Sequence, residues 1–225
     1  MFSVLFEVHP RKEQYEAYLD NAKMLRPELE KIEGFVENIR YGSLIRDGWI
    51  LSLSSWRDEK SLVRWRTMVK HHEVQEKGRN EILLDYHLRV GQYTADTKVP
   101  PDCELAEQRL DETETGDATT VLLTTAKKPD SLGKDATADA IAHFLGLDKR
   151  AKGYVAHDVY DAVLTPGDLI LMTSFKTHED AEAYAASAQV PSDARMRRVR
   201  VVRDYGKYDR REAPQYYPDV AKEPA

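Results

Sequence analysis

The sequence predicts an α+β fold in which one βαββαβ unit is followed by a second of the same order. Three observations predict it. The first is a repeat. Gly34-Phe35-Val36, Asp47-Gly48-Trp49-Ile50-Leu51 and Trp56 are answered by Gly153-Tyr154-Val155, Pro166-Gly167-Asp168-Leu169-Ile170 and Phe175 at one offset of 119 residues. The same offset sets Trp65 on Tyr184 and Asp85-Tyr86 on Asp204-Tyr205. The second is a switch of apolar period between two and about 3.6 along each half. The third is turn and cap chemistry at each switch.

Phe2, Val4, Phe6 and Val8 share one face of a strand. Tyr15, Tyr18, Leu19, Ala22, Leu25, Leu29 and Ile32 form a helical stripe over residues 11–32, which Glu33-Gly34 ends. Strands over 35–43 and 48–56 flank Arg46-Asp47-Gly48, a hairpin signal. Asp58 and Glu59 open a second helix with Leu62, Trp65 and Val69 on its inner face, and a strand from Ile82 to Tyr93 closes the unit. The second half predicts strands near 118–126, 153–161, 168–175 and 196–205, with helices near 135–146 and 177–188. Each half is thus of the split ferredoxin-like kind. The expected organisation is residues 1–93 with the pocket, a solvated linker 94–117, a diverged repeat 118–205 and a tail 206–225. Pro100-Pro101 and the run Asp111-Glu112-Thr113-Glu114 mark the linker. Tyr216 and Tyr217 predict that the tail lies against the rest of the chain.

With 41% hydrophobic and 32% charged residues, the composition is that of a globular protein with a well-solvated surface. A net charge of -6 lacks the basic footprint of a nucleic-acid binder. Cys103 is the only cysteine, which excludes an internal disulfide and a cysteine zinc site. The apolar start is short and interrupted by Glu7, which reads as a strand and not a signal peptide. No apolar run approaches the ~18–20 residues that span a bilayer. A cytoplasmic protein without membrane partners is the expectation.

Residues 2–93 resemble the antibiotic-biosynthesis-monooxygenase (ABM) superfamily. The resemblance is carried by Gly34-Phe35, Leu51 to Glu59, Trp65-Arg66, His71, Gln75, Gly78-Arg79 and Asp85 to Val90. Its members form dimeric α+β barrels. The resemblance implies that the two repeats form such a barrel within one chain, an intramolecular pseudo-dimer, and leaves a further homodimer open. The family includes cofactor-free oxygenases of aromatic polyketides and quinols, and also haem-degrading enzymes.

The resemblance places His71 at the position of the haem enzymes' proximal histidine. The asparagine those enzymes carry on the first strand is absent here. His71 is therefore the expected catalytic base, or the axial metal ligand if haem is bound. The alternative is a histidine that caps the C-terminal end of the Leu62–Val69 helix. His72 is the rival: seven residues after Trp65, it faces the same way in an unbroken helix, whereas a break near Lys70 favours His71. Val190 aligns with His71 in the second half, so the fold is expected to tolerate its loss.

Trp49, Trp56 and Trp65 all lie in the first half and suit a flat aromatic ligand, with core packing as the alternative. Tyr86 completes the candidate binding residues. Arg195, Arg197, Arg198, Arg200 and Arg203 crowd the last strand, as a carboxylate-binding row or an ion-paired face. Three functions follow. The first is a monooxygenase of a small aromatic or polycyclic substrate in the N-terminal half, with no cofactor. The second is a haem-dependent enzyme, and the third a non-catalytic ligand-binding module.

Overall fold

The computed structural model describes the chain except residues 107, 108, 110–114, 212, 215 and 223–225. The first half runs β1 (Phe2–Pro10), α1 (Tyr15–Glu30), β2 (Phe35–Ser43), β3 (Ile50–Trp56), α2 (Glu59–Arg66), α3 (Val69–Lys77) and β4 (Leu83–Asp96). The second runs β5 (Thr120–Lys127), α4 (Ala138–Phe144), β6 (Tyr154–Ala162), β7 (Asp168–Phe175), α5 (His178–Ser187) and β8 (Arg195–Gly206). The strands close one eight-stranded antiparallel barrel in the order β1-β3-β2-β6-β7-β5-β8-β4. Each half supplies four neighbouring strands. They meet along a long β4–β8 seam and a short β2–β6 seam of three paired residues. Closure leaves no free sheet edge.

The alternation of β1 decides what faces where. Leu5 packs inside the barrel with Tyr41, Leu51, Leu53, Tyr160 and Met172. Phe2, Val4, Phe6 and Val8 face outward and are covered by the first-half helices. The barrel interior is a filled core with a buried ionic plug. Arg89 donates to Glu7 at 2.6 Å, and Arg46 bridges Glu7 and Asp158 across the two halves. Elsewhere in the barrel Arg197 donates to Glu37 at 2.8 Å, and Arg195 pairs with Asp96. The arginines of β8 that point inward are thus held in ion pairs.

Local chemistry agrees with the predicted boundaries at several points. Asp58 caps α2 by accepting from the Ser61 N–H at 2.8 Å. Gly34 has φ +86°, and a Cβ there would lie 2.2 Å from Ser61 Oγ, so only glycine fits. Gly48, at φ +72°, turns the β2–β3 hairpin.

Three expectations are corrected. The 119-residue register holds for β2, β3 and α2, whose N-cap Asp58 answers to Thr177 in α5. It fails in the last strand. Val4 pairs with Ser54 and Val90, whereas Leu122 pairs with Thr173 and Arg198. Val90 therefore answers to Arg198, 108 residues on, and Tyr86 and Tyr205 are not equivalent. The cause is α3 with the π-helical turn Gly78–Ile82, which has no helical counterpart in residues 188–194. Val190 consequently says nothing about the loss of His71.

The predicted Leu62–Val69 helix also divides. Thr67 Oγ1 donates back to the Val63 carbonyl at 2.9 Å, Met68 is extended, and α3 restarts at Val69. Val69 is 73% exposed as a result, not on the inner face. Finally, the linker is not wholly solvated. Residues 94–96 extend β4, and Cys103 and Leu105 pack against the barrel core. The acidic run 111–114 lies outside the described residues.

Candidate functional site

Between the outer face of the first-half sheet and its helices lies a cavity of about 210 Å³. Its floor follows from strand register. One rung runs Arg40, Ser52, Phe6, Leu88 and Tyr205 across β2, β3, β1, β4 and β8. The next runs Asn38, Ser54, Val4 and Val90. All nine residues line the cavity. The floor is polar over β2 and β3 and apolar over β1 and β4.

Leu25 of α1 and Leu62 and Trp65 of α2 form walls, with His71 and Val74 of α3. The helix break at Met68 turns α3 so that the His71 ring stacks on the Trp65 indole, with centroids 4.2 Å apart. His71 Nδ1 lies 3.0 Å from the Trp65 carbonyl oxygen. A carbonyl only accepts, so Nδ1 carries the proton and Nε2 keeps a lone pair. Burial holds the imidazole at a pKa of about 4, against the opposing pull of that carbonyl. The ring is neutral at ordinary pH, with Nε2 available as a base or hydrogen-bond acceptor. The contact also caps the end of α2, so the base and capping readings of His71 describe one geometry.

At the opposite side, Tyr86 accepts from Arg79 at 3.1 Å and from Arg210 at 2.7 Å. Both phenol lone pairs are thereby used, which leaves its O–H to donate. Arg79 is buried in the π turn and also holds the Lys207 and Pro218 carbonyls. The Tyr217 ring lies 5.4 Å from the Arg79 guanidinium and 5.2 Å from that of Arg210. The tail thus packs on the cavity, in line with the expectation for its tyrosines, although Tyr216 is 90% exposed.

Of the six candidate residues, His71, Trp65 and Tyr86 meet at this cavity. Trp56, Trp49 and His72 are not among its lining. Trp56 is fully buried in the core, edge-on to Phe35. Trp49 stacks on His9 and under Arg46 at the hairpin. His72 is exposed and stacks on Tyr217. The helix break excludes it from the Trp65 face. Asn38, Arg40 and Arg210 were not singled out from the sequence, whereas Ser52 and Arg79 entered only through the family resemblance and Tyr217 only as a tail contact. Strand alternation opposite Ile39 and Tyr41 was the available signal for Asn38 and Arg40.

Residues 1–77 match the family model for antibiotic biosynthesis monooxygenase. The chain is 50% identical over 226 residues to a protein of Pyricularia oryzae named jasmonate monooxygenase ABM, covering 98% of this chain and all of the relative. The chain belongs to the antibiotic biosynthesis monooxygenase family. Among solved structures, an anthrone oxidase-like protein is similar with a TM-score of 0.36 and 16% identity, over 95% of this chain and 96% of that one. A structure titled antibiotic biosynthesis monooxygenase matches with a TM-score of 0.36 and 11% identity, over 40% of this chain and 95% of that one.

Haem was one expectation for this ABM family member. The cavity does not fit it. At about 210 Å³ it lies below the ~300–1,000 Å³ usual for drug-sized ligands, and a tetrapyrrole is larger than those. The proximal-ligand expectation for His71 is therefore withdrawn on geometry. Among the described residues no group of three or more His, Cys, Asp or Glu gathers to hold a metal ion. Among the described residues, no helix is long and apolar enough to cross a membrane.

Proposed function

We propose that this ABM-type monooxygenase oxygenates a small ring-bearing carbonyl compound of the jasmonate type in the first-half cavity. The observation that carries the proposal is the full-length likeness to the protein named jasmonate monooxygenase. The cavity supports it, being small, mostly apolar and supplied with a few polar groups. An alicyclic ketone suits its volume better than a fused polycycle.

The chemistry follows from the residues present. His71 Nε2 removes a proton from carbon next to the substrate carbonyl, and the enolate so formed is electron-rich enough to react with dioxygen. Tyr86 O–H, polarised by Arg79 and Arg210, donates to the developing oxyanion. Trp65 holds the His71 ring and excludes water. When a methylene becomes a carbonyl and water leaves, the substrate supplies all the electrons that dioxygen takes up.

The test is oxygen uptake by the purified protein with jasmonate, together with mass spectrometry of the product under ¹⁸O-labelled dioxygen. One labelled atom in the product is expected. Absence of uptake and of any mass change, with substrate binding intact, would sink the proposal.

A further inference from the structure

The cavity is cationic in an acidic protein. Arg26, Arg40, Arg66, Arg79 and Arg210 line it, and among the described residues no Asp or Glu does, while the chain carries a net charge of -6. The arginines differ in what they already hold. Arg26 is paired with Glu30 at 2.7 Å. Arg79 and Arg210 hold Tyr86. Among the described residues Arg40 has no acidic partner, and its Nε is enclosed by protein without a hydrogen-bond partner.

Arg40 also has suitable neighbours. It sits directly across from Ser52 on the polar half of the floor. Ser52 Oγ accepts from Asn38 Nδ2 at 3.2 Å, which leaves the Ser52 O–H to donate. Asn38 spends its second N–H on the Leu53 carbonyl, so it offers an anion nothing. The Tyr18 phenol accepts a hydrogen bond from Arg40, and burial pushes its pKa above the ordinary range, so it stays neutral. On the same rung, Phe6 and Leu88 continue the floor as apolar surface. Strands ~4.8 Å apart put Leu88 roughly 14 Å from Arg40 along the rung. That is room for a small molecule with one charged end and an apolar body.

We propose that Arg40 and Ser52 form a carboxylate subsite, which selects organic acids whose apolar body lies over Phe6 and Leu88. This deepens the proposed function and rests on reading this cavity as the substrate site. A guanidinium beside a hydroxyl offers a carboxylate charge-assisted N–H and O–H donors together. Anchored there, the ring of the acid extends toward Trp65, His71 and Tyr86. An ester of the same acid lacks the charge and pairs more weakly with Arg40.

The test uses jasmonic acid and its methyl ester as probes, titrated into the full chain and followed by calorimetry. The wild type is expected to bind the acid at least about 10-fold tighter than the ester. Arg40→Gln should weaken the acid by roughly 10–100-fold and leave the ester within about 3-fold. Ser52→Ala should weaken the acid alone by a few fold. Arg66→Gln is the comparison and should spare the acid preference. The inference is overturned if the wild type binds neither probe or binds both alike. Equal losses for both probes in Arg40→Gln, or loss of the preference in Arg66→Gln, also overturn it. Should Arg40→Gln not fold, Ser52→Ala decides, and equal losses there refute the subsite. Acid-selective binding without oxygen uptake refutes the proposed function and leaves the subsite standing. Oxygen uptake with no acid preference does the reverse.

Discussion

Replacing His71 by asparagine separates its contact with Trp65 from its proposed role as a base. The asparagine amide can still donate to the Trp65 carbonyl, as Nδ1 does at 3.0 Å, but it has no basic nitrogen. Alanine removes both. The alanine cost follows from the contacts: about 1 kcal/mol for the hydrogen bond and about 1 kcal/mol for the stacked ring 4.2 Å from Trp65. His71→Ala should therefore lose about 2 kcal/mol, or roughly 4–8 °C in melting temperature for a chain of this size. His71→Asn should recover most of that stability while its turnover falls by about 10²–10⁴, the usual worth of a positioned base.

The pH dependence is a second readout of the same residue. An unfolded histidine takes up a proton as the pH falls below about 6.5, whereas the folded His71 does so only near 4. The unfolded state is thus favoured progressively as the pH drops from 6.5 to 4, and no further below that. The stability lost over this window is about 3 kcal/mol, and it is fully present above pH 6.5. Chemical denaturation of wild type and His71→Asn at several pH values measures it, and the wild type alone should show this component. Full turnover by His71→Asn, or identical pH slopes in the two proteins, would refute the reasoning.

Three other perturbations test the surrounding structure. Tyr217→Ala should raise KM several-fold with little change in melting temperature, because the ring packs on Arg79 and Arg210 at the cavity and not in the core; steady-state kinetics checks it. Gly91→Ala should destabilise by about 1–3 kcal/mol in denaturant titrations, since a Cβ there would lie 2.2 Å from Val199 Cγ1 and 2.7 Å from the Arg200 carbonyl on the β4–β8 seam. Glu7→Leu should lose about 3 kcal/mol or more by stranding the buried Arg89, while Arg46 keeps Asp158. Burial opposes ionisation of Glu7, but Arg89, Arg46 and His87 outweigh it and hold the carboxyl below its ordinary value. Its stabilising contribution is therefore complete at neutral pH and is lost as the pH falls through the acid range. In a double-mutant cycle Glu7→Leu with Arg89→Met should cost less than the sum of the two single changes.

Much of the architecture could be read from residue order alone. Alternation at Phe2 to Val8, the Asp47-Gly48 turn, the cap at Asp58 and the glycine at 34 are local signals, and each element follows from neighbours within a few residues. The repeat extended this to the second half through β2, β3 and α2. The candidate site was legible only in part. His71 and Trp65 were visible as a pair, but an ungapped offset hid the fact that α3 belongs to the first half alone. The three tryptophans looked like one cluster, yet Trp56 is core and Trp49 sits at a hairpin.

The sequence by itself determined the order of strands and helices and most of their spans, because period, turns and caps act over short range, though not the division of the second helix at Met68. It also determined that two similar halves exist. Only the tertiary structure decided what those elements bring together. Strand register sets Arg40, Ser52, Phe6, Leu88 and Tyr205 on one rung, although their order along the chain scatters them from residue 6 to residue 205. The break at Met68 chose His71 over His72, since a change of backbone direction at one residue reverses the faces of everything after it. Arg210 and Tyr217 reached the first-half cavity only because barrel closure places the end of β8 beside β4. Contacts between residues distant in sequence depend on register and closure, which are properties of the whole barrel and leave no local mark on the residues that make them.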